Sequence, residues 1–187
     1  MGPGAGALGW VWGGESYLHK AASCLDCSRN KPHLIYKNAA IRKMIVYGDA
    51  IGLILSDGKA VMFGQVDGLT EIDNKITAEI ANGVVYKIPV SNVVDLSITG
   101  LSYEVLRADG TVWALGLNHT GLLGQCDFEK NKYKGFVQVR NLYRIRKIQR
   151  TMAWDDKGYL WQWGVSMYEG RHGSLTASRD GNESCPI

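Results

Sequence analysis

The sequence predicts an all-β protein, a β-propeller (partial or small) built from four-stranded antiparallel blades of about 50 residues each. Three observations carry this. The 187 residues include 23 Gly, 6 Trp and 9 Tyr but only 4 Pro; aromatic residues favour strands and glycine favours the tight turns between them. A phrase also recurs. Asp109-Gly110-Thr111-Val112-Trp113-Ala114-Leu115-Gly116 has counterparts in Asp57-Gly58-Lys59-Ala60-Val61-Met62-Phe63-Gly64 and Asp156-Lys157-Gly158-Tyr159-Leu160-Trp161-Gln162-Trp163-Gly164, with a partial copy in Gly9-Trp10-Val11-Trp12-Gly13. The closing glycines Gly13, Gly64, Gly116 and Gly164 stand 51, 52 and 48 residues apart, and an even period of this length marks a stacked supersecondary unit.

Each part of the unit has a physical reading. Asp-Gly supplies the positive φ of a tight hairpin turn. The alternating apolar and aromatic run after it is a strand, and the glycine closes that strand where the backbone bends or approaches another closely. Upstream, 34–45, 88–96 and 136–148 align as a short strand, a turn at Asn38, Asn92 or Asn141, and a second short strand. A central strand follows at 51–55, 103–107 and 151–155. Four strands in about 50 residues, repeated, make a propeller. The expected organisation is one propeller-type domain over 1–187, with a partial blade at 8–14, blades at 34–64, 87–116 and 136–164, and a tail at 174–187.

Composition excludes several classes. The net charge is only +3, so any polyanion surface must come from a local cluster. No run approaches the roughly 18 apolar residues of a membrane span, and the start, Met1-Gly2-Pro3-Gly4-Ala5-Gly6-Ala7, carries no basic segment before an apolar one, so no secretory signal is read. Cys24, Cys27, Cys126 and Cys185 read as a reduced set. The expected location is intracellular, cytoplasmic or nuclear.

At Val112-Trp113-Ala114-Leu115-Gly116 followed by Asn118-His119-Thr120-Gly121-Leu122-Leu123-Gly124, the sequence resembles the regulator of chromosome condensation repeat family. That family's blade ends in a valine-aromatic-x-tryptophan-glycine strand followed by Asn-x-x-Gly-Gln-Leu-Gly. The resemblance covers roughly 9–173. It implies seven-bladed rings as the usual architecture, and a guanine-nucleotide exchange factor acting on a small GTPase as one function. The departures are specific. Tyr103-Glu104 and Ile51-Gly52 stand where the family often places a His-Ser pair, and the glycine motif is eroded after Gly64 and after Gly164. No exchange-factor residue carries over position by position. WD-repeat blades are shorter and end in Trp-Asp, whereas Trp154-Asp155 lies in the wrong strand; kelch blades want a central Gly-Gly pair.

About three and a half blades fall short of the 4 to 8 of a closed ring. The readings are one piece of a longer chain, a half-propeller completed by a protein partner or a second copy, or a small four-bladed ring. The first two rank above the third, because open sheet edges are association hazards that proteins manage by pairing or covering.

The candidate binding residues are basic. Lys130, Lys132, Lys134, Arg140, Arg144, Arg146, Lys147 and Arg150 face only Asp127 and Glu129 within 126–150, a local charge of +6 where the rest of the chain sums to −3. In Arg144-Ile145-Arg146-Lys147-Ile148-Gln149-Arg150, one strand face would bury Ile145 or Ile148 and the other would present cations to nucleic acid or an acidic protein surface. The bland counterpart is a solvated edge strand protected by its charges. Cys24 and Cys27 with His19 and His33 form a weak zinc candidate with unusual spacing; no cofactor is expected. Trp12, Trp113 and Trp163, with Trp10 and Trp161, recur in the repeat and read as packing between blades. Asp57, Asp109 and Asp156 belong to the turns, and no nucleophile-base pair has a readable spacing, so no catalytic residue is assigned. The expected function is a non-enzymatic interaction scaffold within a larger complex. An exchange-factor fragment and a nucleic-acid or nucleosome-binding module through 130–150 are the alternatives.

Overall fold

The computed structural model describes residues 7–11, 33–38, 41–48, 50–64, 85–118, 121–125, 133 and 135–164. Every regular element among them is a strand, and every pairing is antiparallel. The first pair is β1 (Ala7–Val11) with β2 (His33–Asn38). A four-stranded sheet follows in chain order: β3 (Ile41–Tyr47), β4 (Ala50–Leu55), β5 (Ala60–Gly64) and β6 (Tyr86–Lys87). The next has the same order: β7 (Val93–Ile98), β8 (Ser102–Arg107), β9 (Val112–Gly116) and β10 (Val137–Gln138). The last holds β11 (Ile145–Gln149), β12 (Met152–Asp155) and β13 (Leu160–Gln162). All-β architecture and repeated four-stranded meanders are as the sequence predicts.

The phase of the repeat differs from the expected blades at 34–64, 87–116 and 136–164. Each of those blades began with a short strand, but hydrogen bonding gives that strand to the blade before it. β2 pairs with β1, β6 with β5 (Val61 opposite Lys87) and β10 with β9 (Trp113 opposite Gln138). The blades therefore run 41–87 and 93–138, with partial sheets at 7–38 and 145–162. A period in sequence is cyclic and can be cut anywhere; only the free edge of β5 or β9 decides which strand completes it.

The alignment of Asn92 with Asn141 also shifts. Ile88 donates its N–H to Ala60 O at 3.0 Å and Val93 donates to Gly58 O at 2.8 Å. The equivalent bonds of the next link are Val139 N to Val112 O at 2.8 Å and Ile145 N to Gly110 O at 3.1 Å. The second link is one residue longer, so the counterpart of Asn92 is Arg144; both are left-handed, with φ of 56° and 60°.

The hairpin turns repeat closely. Gly58, Gly110 and Gly158 have φ of 76°, 80° and 87°, and each donates its N–H back to Leu55, Arg107 or Asp155. This is the three-residue loop in which a left-handed glycine forms the bulge; the aspartate itself stays at negative φ. Asp57 and Asp109 each accept the backbone N–H two residues on, at 3.0 Å. In the third turn that work passes to Asp155, which accepts from Lys157 and Tyr159, both at 2.9 Å. Asp156, assigned to the turn by sequence, directs its carboxylate at Arg144 instead.

A bulge also recurs. The register slips at Arg42 in β3, Val94 in β7 and Arg146 in β11. Strict alternation cannot put Ile145 and Ile148, three apart, on one face. The extra residue does so, and both are buried, so the choice between them posed by the sequence is resolved in favour of both. Val93 and Leu96 are buried in the same way.

The core lies between successive sheets. Ile54, Met62, Val93, Leu96, Tyr103, Val105 and Leu115 form one cluster; Leu106, Val112, Ala114, Leu142, Ile145, Ile148 and Trp163 form the next. β9 thus sends Trp113 and Leu115 toward the preceding sheet and Val112 and Ala114 toward the following one, the period of two expected of a strand buried on both faces. Close approach depends on Gly52, where a Cβ would collide with the Leu96 side chain of the next sheet. The loop after β9 is organised by buried Asn118, whose Oδ1 accepts Leu123 N at 3.1 Å. That loop presents Leu122 O to the Trp163 indole N–H at 2.9 Å.

The tryptophans occupy two positions of the repeat. Trp113 and Trp161 are partly buried and hydrogen-bond to turn residues, Thr111 and Asp155, each at 3.2 Å. Trp163 takes the place of Leu115 and is 1% exposed. Trp12 and Gly13 lie outside the described residues. Trp163→Ala should lower stability by about 3–5 kcal/mol and Trp113→Ala by roughly half of that, because only part of its ring leaves water. Gly116→Val should also destabilise, since its Cβ would meet the Leu101 carbonyl oxygen at a φ of 154°. Urea unfolding of the three variants checks the order; equal, small losses would refute the packing described.

Candidate binding cleft along the first strands

Each blade begins with a strand at one edge of its sheet, and these first strands, β3, β7 and β11, come together. Their bulges carry the contacts. Arg42 Nη2 donates to Val94 O at 2.8 Å, and Lys43 Nζ pairs with Asp95 Oδ1 at 2.5 Å. Arg150, at the end of β11, donates its N–H to Ser97 Oγ at 2.5 Å. Between these strands lies a cleft of about 290 Å³ lined by Lys43, Ile45, Val46, Tyr47, Asp95, Ser97, Lys147, Gln149 and Arg150, with Leu96, Ile98 and Ile148 beneath. Three cations and one carboxylate give it a net charge of +2.

The described members of the basic stretch meet different partners. Arg144 binds Asp156 through Nη2 at 2.6 Å and Nε at 2.7 Å, and Arg146 Nη2 lies 3.9 Å from the same oxygen. Both arginines are mostly exposed; the pairing mainly fixes geometry, since exposed ion pairs contribute about 0–1 kcal/mol. Arg140 is exposed beyond β10. Lys147 lies over the Trp154 ring, 5.8 Å from its centroid, and with Arg150 reaches the cleft. Lys130, Lys132 and Lys134 fall outside the described residues. So do Cys24, Cys27 and His19, while His33 opens β2. Among the described residues no three His, Cys, Asp or Glu side chains gather as a metal site, and no helix is long and apolar enough to cross a membrane.

Sequence reasoning passed over the carboxyl group that the fold isolates most. Glu104, in the middle of β8, is 0% exposed. Ser102 Oγ donates to its Oε1 at 2.5 Å, and Thr99 Oγ1 lies 2.8 Å from Ser102 Oγ. Its Oε2 has no hydrogen-bond partner. Burial pushes its pKa up to about 8, against the smaller opposing effects of the Ser102 and Ser97 hydroxyls. Ser97 thus connects the buried acid to the cleft, because the same hydroxyl accepts the Arg150 N–H. Tyr103 beside it is fully buried, and its hydroxyl is likewise without a partner and raised above its ordinary range by burial. The signal available was a lone acid inside the apolar run Ser102-Tyr103-Glu104-Val105-Leu106.

No protein-family model matches the sequence, and no curated protein matches it. Solved structures match the fold. Human WBSCR16 superposes with a TM-score of 0.66 at 17% identity, over 98% of this chain and 48% of that one. Yeast RCC1 (Prp20), crystallised bound to Kap60, gives 0.64 at 13% identity over 83% of this chain and 39% of that one. Prp20p from Saccharomyces cerevisiae, in a study of its binding to Gsp1p and histones, gives 0.54 at 14% identity over 83% and 41%. The likeness at these identities is one of fold: a divergent RCC1-like β-propeller. The chain spans about two fifths to one half of the length of these structures.

Glu104 makes stability depend on pH. An acid whose pKa is raised on folding binds its proton more tightly in the folded state, so its contribution is fully present below the ordinary value of 4.5 and is lost as pH rises toward 8. The loss is on the order of 3–5 kcal/mol. Glu104→Gln should flatten this decline: urea midpoints of the native protein should fall between pH 5 and pH 8.5 by more than those of the variant. Parallel declines would show that Glu104 titrates normally.

Proposed function

We propose that this RCC1-like propeller chain is a non-enzymatic protein-interaction scaffold that works as a subunit of a larger nuclear or cytoplasmic assembly. One observation carries the reading. β5 and β9 each receive a short fourth strand, β6 and β10, on their outer edge. The equivalent edge of β13 carries no strand among the described residues, and Tyr159 and Leu160 there are 64% and 43% exposed. An edge of this kind, with exposed apolar side chains, is where strand addition takes place. The occupant would be a protein partner, a second copy or further repeats completing the ring.

The exchange-factor reading draws on the fold shared with Prp20, and fold alone does not confer activity. Acceleration of nucleotide release from a small GTPase by the purified chain would favour it. The polyanion reading is weaker than the local charge of 126–150 suggests, because Arg144 and Arg146 share Asp156. For the same reason Arg144→Glu would set two carboxylates against each other and confuse a loss of fold with a loss of binding.

The native mass of the particle tests the assembly. Sedimentation velocity at micromolar concentration, of the purified chain alone and of the chain in gently lysed source cells, should give a species well above the 20.6 kDa monomer in at least one of the two preparations. A stable, fully folded 20.6 kDa monomer in both preparations would refute the scaffold reading.

A further inference from the structure

The cleft between β3, β7 and β11 holds three cations in different states. Lys43 is neutralised by Asp95, and Lys147 stands over Trp154. The Arg150 guanidinium has no hydrogen-bonded anion among the described residues, although its backbone is firmly held. Its φ is 54°, a left-handed conformation that a long side chain rarely adopts, and its N–H is bound by Ser97 Oγ. The turn between β11 and β12 holds it there, as Gly48 with a φ of 53° is held in the turn between β3 and β4. The opposite wall is apolar and open: on β3, Tyr47 is 37% exposed and half-buried Ile45 lies beside it on the same face.

This combination selects a ligand class. A groove for nucleic acid needs a run of unpaired cations along the phosphates and aromatic faces for the bases. Here Asp95 interrupts the cations and Tyr47 is the one aromatic ring of the lining. A guanidinium fork suits a carboxylate, and an aliphatic wall suits an aliphatic neighbour. The volume of about 290 Å³ lies at the small end of ligand sites. The geometry points to a peptide-binding cleft in which a short segment of acidic residues interspersed with aliphatic ones docks, a carboxylate on Arg150 and Lys147 and an aliphatic side chain against Ile45 and Tyr47. This rests on the chain being an interaction module and names the chemistry of what it binds.

Fluorescence anisotropy of the full chain tests it with three labelled probes: the peptide Leu-Glu-Val-Asp-Leu-Glu, its amide counterpart with Gln and Asn for Glu and Asp, and a hexathymidylate. The acidic peptide should bind with a Kd below about 100 µM, more weakly as salt rises, and the amide peptide should bind at least tenfold more weakly. Arg150→Asn removes the charge while Asn tolerates the left-handed backbone; it should weaken binding about tenfold. Lys147→Gln, three residues earlier on β11, should weaken it too, and Arg140→Gln, outside the cleft, should not. Melting midpoints near wild type establish that the variants are folded, and if Arg150→Asn unfolds, Lys147→Gln decides. Equal binding of the amide peptide, preference for hexathymidylate, unchanged affinity in the cleft variants, or no binding at 1 mM would each overturn the proposal. A large native particle without peptide affinity would sink the cleft alone, and a peptide-binding monomer would sink the assembly alone.

Discussion

The fold depends on how one peptide unit joins each pair of blades. The Asn92–Val93 unit is held from both sides: Val93 N–H reaches Gly58 O in the turn of the preceding blade, and Asn92 O accepts Ala108 N at 2.8 Å in the turn of its own. The Arg144–Ile145 unit repeats this with Gly110 O and Asp156 N. Backbone groups in such links must find partners, since few buried ones go without. The left-handed φ at Asn92 and Arg144 is what turns the carbonyl one way and the next N–H the other. The turn must also come close: a Cβ on Gly110 would lie 2.9 Å from Arg144 Cα. The turn glycine therefore serves the next blade as well as its own hairpin.

These links place everything else. With the turns tied to the following blade, the first strands β3, β7 and β11 fall side by side, which brings Lys43 to Asp95 and Arg150 to Ser97. The period-two alternation then decides what is buried between sheets. Gly52 and Glu104 occupy the same place in successive blades, opposite Ile45 and Ser97 in their own sheets. Gly52 leaves room for Leu96. Glu104 fills the corresponding place with a carboxyl group that can be satisfied only in part, by hydroxyls rather than by a cation. An unpaired buried charge is costly, so the acid stays protonated near neutral pH, with its cost set by the neighbouring hydroxyls and the Arg150 backbone they also hold.

The same logic explains why the basic stretch divides. In an extended strand, cations flanking isoleucines would share a face. The bulge at Arg146 rotates the strand between Ile145 and Ile148, and the left-handed link at Arg144 aims that side chain at Asp156. One group of arginines is spent on an ion pair at the turn, and Lys147 with Arg150 lines the cleft. A sequence count of charges has no access to this division, because it arises from backbone geometry at two residues.

By itself the sequence determined the class and the repeat. Asp-Gly turns, alternating apolar strands and closing glycines recur at about 50 residues because each blade solves the same local problem, and local problems are written in neighbouring residues. What only the tertiary structure decided is everything that depends on which edges and faces meet. The phase of the blades follows from β6 and β10 pairing backward; the equivalence of Arg144 with Asn92 follows from hydrogen bonds across a link one residue longer. The transfer of the turn's acceptor role from Asp156 to Asp155 and the burial of Glu104 were not visible either. These rest on contacts between residues tens of positions apart, where spacing along the chain carries no information about distance in space.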